Sequence, residues 1–224
     1  MIHLEEELNV LKQETMNMWQ LVIQQLQKTE EALINFDKDL ASEVIANERR
    51  VNAMELKIDN DCENAFALLN PVAVDLRFVL AILKINNNLE RTGDIAEGIA
   101  KFISQAKNPF ETQLLEITRV REMYMHSIEM LKDILIAFDT ENTKLARTLF
   151  RRDEMIDEIN RNANSILVDY ISKYPESTEQ ALNILSAIRK LERVGDQAKN
   201  IAEEIIFYVE AKVLKHTKKG LLEG

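Results

Sequence analysis

Apolar residues recur at alternating threes and fours along most of the chain, the spacing that gives a helix one buried stripe. In the clearest run Ile82, Ile85, Leu89, Thr92, Ala96, Ile99 and Ile103 share a seam, and Ile184, Leu191, Val194, Ala198, Ile201 and Ile205 form a second. Stripes of this kind predict core. The periodic runs stop at Pro71, Pro109 and Pro175, residues that cannot continue a helix. Two further breaks, Phe36-Asp37 and Phe138-Asp139, each end an apolar run and offer Asp as an N-cap. The pattern therefore predicts six helices, roughly 3–35, 38–69, 71–107, 111–138, 140–173 and 177–216.

The two Phe-Asp breaks lie 102 residues apart. The same offset lays Leu89-Glu90-Arg91-Thr92-Gly93-Asp94 on Leu191-Glu192-Arg193-Val194-Gly195-Asp196. In the second helix of each unit the offset becomes 105, pairing Leu40-Ala41 with Leu145-Ala146 and Glu48 with Asp153. This is an internal duplication with a three-residue insertion later removed. The expected fold is all-α: two tandem three-helix bundles of long helices, the first repeat over 1–108 and the second over 109–224. Helices of some 30 residues would each be about 45 Å long.

Composition agrees with helices and narrows the partners. Only 5 Gly and 3 Pro occur in 224 residues, too few for a loop-rich fold. A net charge of -10 argues against nucleic acid, whose phosphates need a basic face. The basic cluster Lys212, Lys215, His216, Lys218 and Lys219 suits a helix C-terminus, with anion binding the weaker alternative. One cysteine, Cys62, permits no intrachain disulfide and fits the reduced cytoplasm. No apolar run reaches the length of a membrane span, so contact with a membrane is expected only through a partner.

Several carboxylates break the rules of helix stability. Glu90 and Asp94 lie four residues apart on one face, as do Glu192 and Asp196, and like charges at that spacing repel by roughly 0.2–0.5 kcal/mol. Mid-helix Gly93 and Gly195 each cost about 1 kcal/mol against Ala. The second helices carry a matching polar stripe: Glu48, Asn52, Glu55 and Asp59 in one repeat, Asp153, Asp157, Asn160 and Asn164 in the other. Oxygens converging from both helices would suit Mg, Mn, Fe or Ca. Two structural readings compete: a solvated face neutralised by Arg91 and Arg193, and glycines that let helices pack closely.

Catalysis is not expected. A di-iron bundle needs Glu-x-x-His pairs, and none of His3, His126 and His216 follows a Glu at that spacing. There is no phosphate loop and no nucleophile grouped with a base.

The segment Asn70-Pro71-Val72-Ala73-Val74-Asp75-Leu76-Arg77, the two Leu-Glu-Arg-x-Gly-Asp segments and the Asn200-Ile201-Ala202-Glu203 that follows the second together resemble the PhoU family over nearly the whole chain. The resemblance implies a negative regulator of phosphate uptake and starvation signalling, working with the ATPase of a phosphate ABC transporter and a sensor histidine kinase. It further implies multinuclear metal at Glu90, Asp94, Glu192 and Asp196, with Glu48, Asp153 and Asp157 as second-helix ligands and iron, manganese, magnesium or zinc as the ion. A homodimer is expected, and Asp75 and Arg77 are candidates for partner docking. Regulation of a sodium-phosphate cotransporter and a metal-binding bundle with no phosphate role are the alternatives. The chain departs from the family in having Gln197 where His is frequent and Ala211 where Gly is frequent, and its own halves differ in that Ser177 and Glu179 stand at the positions of Asp75 and Arg77.

Overall fold

The computed structural model describes residues 2–214; of the C-terminal basic cluster, Lys215, His216, Lys218 and Lys219 lie outside the described residues. The first repeat contains α1 (Ile2–Asn35), α2 (Lys38–Leu69) and α3 (Val74–Gln105). The second contains the short α4 (Thr112–Ile117), then α5 (Val120–Asp139), α6 (Thr143–Lys173), a 3-10 turn (Pro175–Ser177) and α7 (Thr178–Glu210). Among the described residues there is no strand. Helices α1–α3 pack on one another, α5–α7 do likewise, and α3 lies against α7 with α1 against α5. Every residue of the two predicted seams is at most 1% exposed, which places α3 and α7 at the centre of one continuous core.

Helices α3 and α7 run antiparallel. Lys84 reaches Glu204 at 2.9 Å, Asn88 accepts from the Asn200 amide at 3.3 Å, and Gly98 packs under Lys190. This register sets Gly93 and Gly195 level with each other. The outer pair is joined by Trp19 of α1, which is fully buried and donates to the Leu131 carbonyl of α5 at 3.1 Å. At one end Trp19, Phe78, Phe138 and Tyr208, from α1, α3, α5 and α7, form an aromatic cluster with centroids 5.5–6.3 Å apart.

Four boundaries differ from the sequence expectation, the start of α6 at Thr143 rather than 140 among them. Predicted helix 111–138 is broken at Thr118-Arg119, where Arg119 takes φ 54°. The Thr118 hydroxyl donates to the Leu114 carbonyl at 2.7 Å, and a two-pronged pair from Arg119 to Glu122, 2.7 Å at each prong, holds the unusual backbone. Helix α3 starts at Val74 rather than 71, after Ala73 at φ 49°. Helix α7 ends at Glu210 rather than 216, because Ala211 adopts the left-handed conformation that closes a helix.

The Phe-Asp breaks are also not structural counterparts. Phe36 (φ 52°) ends α1, the Asp37 amide bonds the Ala32 carbonyl, and Asp37 caps α2 by accepting from Leu40 N at 2.9 Å. The same turn in the second repeat uses Glu141 (φ 54°), an Asn142 amide bonded to the Ala137 carbonyl, and Asn142 accepting from Leu145 N at 3.0 Å. Asp139 is the last residue of α5, not a cap. The 105-residue offset therefore already holds through the first turn of each repeat, and the three residues are lost between the second and third helices.

Candidate functional site

The register of α2 on α3 brings Glu48 onto Gly93. Glu48 is 4% exposed, and neither carboxylate oxygen has a hydrogen-bond partner. A Cβ built on Gly93 would stand 3.1 Å from Glu48 Oε2 and 3.0 Å from a Val51 methyl. Gly93 thus does more than permit close packing: it leaves space in front of a buried carboxylate. Around that carboxylate stand the half-buried Glu90 and Glu97 and the exposed Asp94. Burial first, then Asp94, Glu97 and Glu90, push Glu48 up to about 7, with Lys101 opposing weakly. Glu90 is raised by its own burial and by Asp94 and Glu55, and Arg91 opposes these with the smallest effect of the four.

Of the rest of the first repeat's polar stripe, only Glu55 stays within the influence of Glu90 and Asp94. Asn52 is exposed, while Asp59 accepts from the Asn86 amide at 2.9 Å; the same amide bonds the Glu55 carbonyl. Glu55 is raised by burial and by Asp59 and Asp94.

The second repeat repeats the geometry. Asp153 on α6 is 1% exposed and faces Gly195 on α7, where an added Cβ would come within 2.7 Å of Asp153 Oδ1. Glu192, Asp196 and Asp157 are half-buried around it. Burial raises Asp153, and it raises Glu192 ahead of the contributions of Asp196, Asp157 and Asp153. Asn160 is half-buried, and exposed Asn164 is turned aside by Arg189. One difference separates the repeats: Lys199 forms ion pairs with both Asp153 and Asp196, the latter at 2.8 Å.

Gly195→Ala is expected to destabilise the protein by about 1–3 kcal/mol in urea unfolding, because overpacking displaces a short buried side chain that is already ion-paired. At a permissive helical site the same change would gain about 1 kcal/mol.

Among the described residues no three His, Cys, Asp or Glu side chains already converge as metal ligands. The donor chemistry of the first repeat nevertheless fits a hard cation: carboxylates only, one of them buried with both oxygens orphaned, beside a cradle that a single Cβ would fill. Closing on an ion requires Asp94, Glu90 and Glu97 to turn toward Glu48. Asp75 and Arg77 lie elsewhere, half-buried at the start of α3. Arg77 donates to the Tyr208 carbonyl at 3.4 Å, and Asp75 lines a groove with Leu8, Lys12, Phe78 and Val209. Sequence reasoning passed over Lys199, although a Lys three residues after Asp196 was a visible signal.

Fold and site together define a class: an all-helical tandem repeat in which each half buries one carboxylate of its second helix against the glycine of an acidic motif on its third. The chain belongs to the PhoU family, whose domain matches residues 15–103 and 120–205. Those segments begin 105 residues apart and end 102 apart, as the turns and the glycines do. The chain is 32% identical to the phosphate-specific transport system accessory protein PhoU homolog 1 of Thermotoga maritima, over 100% of this chain and 96% of that one. To the phosphate-specific transport system accessory protein PhoU of Escherichia coli it is 34% identical, over 94% and 86%. The crystal structure of PhoU from Pseudomonas aeruginosa superposes with a TM-score of 0.84 at 32% identity, covering 93% of this chain and 99% of that one. The phosphate transport system regulatory protein PhoU from Streptococcus pneumoniae gives the same TM-score at 29% identity, over 94% and 98%.

Proposed function

We propose that this chain is the accessory regulator of a phosphate-specific transport system. It restrains phosphate uptake and starvation signalling by contact with the transporter's ATPase and a sensor histidine kinase, rather than by catalysis. The observation that carries the reading is similarity over 94–100% of the chain to proteins named as accessory proteins of the phosphate-specific transport system, extending through both acidic motifs. No helix among the described residues is long and apolar enough to cross a membrane, and in this reading the chain acts at the cytoplasmic face through its partners. Self-association as a homodimer belongs to the same proposal. So does docking at the start of α3, where Val72, Val74 and Leu76 are exposed beside Asp75 and Arg77.

Within this reading the first repeat holds a metal ion on Glu48, Glu90 and Asp94, with Glu97 as an added donor. An ion there would offset the repulsion among these carboxylates and lock α2 to α3. Iron, manganese, magnesium and zinc are all compatible with carboxylate donors.

The test is deletion of the gene, with alkaline phosphatase and transporter expression read in ample phosphate. Derepression, reversed by the intact gene, is expected, together with capture of the ATPase or the kinase by the purified chain. An unchanged phosphate response would overturn the regulatory role and leave a metal-binding bundle.

A further inference from the structure

The two repeats carry the same cradle but opposite charge order beside it. At the 102-residue offset that superposes the glycines, Glu97 and Lys101 of α3 become Lys199 and Glu203 of α7. In the first repeat the cation is displaced by a full turn. Lys101 is exposed and bonds Glu97 at 2.6 Å, so both Glu48 oxygens remain unpartnered. In the second repeat the cation stands one turn nearer. The Lys199 side chain is 25% exposed, and its ammonium bridges the carboxylate of α6 that faces the glycine, Asp153, to Asp196 on its own helix.

The site of the second repeat therefore already holds a cation of its own. A metal entering there finds only Asp153 Oδ1 without a partner, and to gain Asp153 Oδ2 and Asp196 it must evict an ammonium from both. A metal entering the first repeat displaces nothing from Glu48. We propose that Lys199 is the resident cation of the second repeat, so that metal is taken by the first repeat alone and the second joins α6 to α7 without it. The proposal rests on the metal reading above for the first repeat but makes its own claim about the second.

The experiment is Mn2+ binding by equilibrium dialysis on the full chain, with thermal melts recorded with and without Mn2+. Wild type and Asp196→Asn should bind equal amounts, while the double variant Glu48→Gln, Asp94→Asn should lose the bound Mn2+. Lys199→Met should melt lower than wild type without metal, gain a second class of Mn2+ site, and recover its melting temperature when Mn2+ is added. Asp153→Asn in the Lys199→Met background should abolish that gain while keeping helicity, which separates loss of a ligand from loss of fold. If Asp196→Asn removes about half of the bound metal, or if Lys199→Met gains none, the proposal is overturned. If wild type binds no Mn2+ but Lys199→Met does, the resident role of Lys199 stands and the first repeat's metal reading falls.

Discussion

Between pH 4.5 and about 8, in the presence of chelator, the wild-type chain is expected to lose about 3 kcal/mol of folding stability relative to Glu48→Gln. Glu48 is raised from an ordinary 4.5 to about 7 in the folded protein, first by burial and then by Asp94, Glu97 and Glu90. An acid whose folded pKa is raised holds its proton in the folded state where the unfolded chain has released it. Across that window the folded state binds more protons than the unfolded one, so stability falls as pH rises and levels off above the folded pKa. Gln leaves an amide buried without partners, at a cost of about 1–3 kcal/mol, but that cost is the same at both ends of the titration and cancels in the comparison. Urea unfolding of both proteins across the pH series measures the effect. Parallel curves would show that Glu48 is solvated or partnered in solution. An ion bound at the first repeat would reverse the trend, because a ligated carboxylate stays ionised at little cost.

Trp19→Ala is expected to cost about 3–5 kcal/mol, the largest loss from any single side chain considered. Trp19 is fully buried, touches Phe138 at a ring separation of 5.8 Å, and donates its indole N–H to the Leu131 carbonyl. Removing it opens a cavity between α1 and α5 and leaves a buried carbonyl acceptor without its donor. Trp19→Phe keeps most of the apolar area and isolates the polar part, about 1–3 kcal/mol. Because this tryptophan is the only one in the chain, unfolding must be followed by circular dichroism rather than fluorescence. Since Trp19 belongs to the first repeat and Leu131 and Phe138 to the second, the loss should appear as weaker joint unfolding of both halves. A cost below about 1 kcal/mol would show that the halves are not held together here.

The long helices and the duplication were legible because proline stops, periodic seams and the Leu-Glu-Arg-x-Gly-Asp segments are local signals. The break at Thr118-Arg119 was not. No Gly or Pro marks it, and it depends on a hydroxyl bonding back to the Leu114 carbonyl and a guanidinium clamped by Glu122. The Phe-Asp pairs misled for the opposite reason, since identical residues occupied different positions in the turn and only backbone hydrogen bonds show that Asn142 is the cap. The acidic positions were visible as stripes, but a stripe does not say which member is buried. Glu48 and Asn52 are one turn apart, yet one is sealed against Gly93 and the other is exposed, a distinction set by the register of α2 on α3.

The antiparallel crossing of α3 and α7 has a bearing on how such a chain arises. Trp19 at the 105-residue offset becomes Tyr124, also fully buried, and the Asn88–Asn200 contact between α3 and α7 recurs at the 102-residue offset as Lys190–Gly98. Contacts that recur with the partners exchanged are those of an isologous pair, so the chain has the form of a homodimer whose two subunits have been joined end to end. In a true homodimer every substitution strikes both sides of the axis at once, and an ammonium could not replace an acid at one site without replacing it at the other. Joining the halves removes that constraint. Asn88 against Lys190, Gly98 against Asn200 and Glu97 against Lys199 are differences that only a single covalent chain can keep.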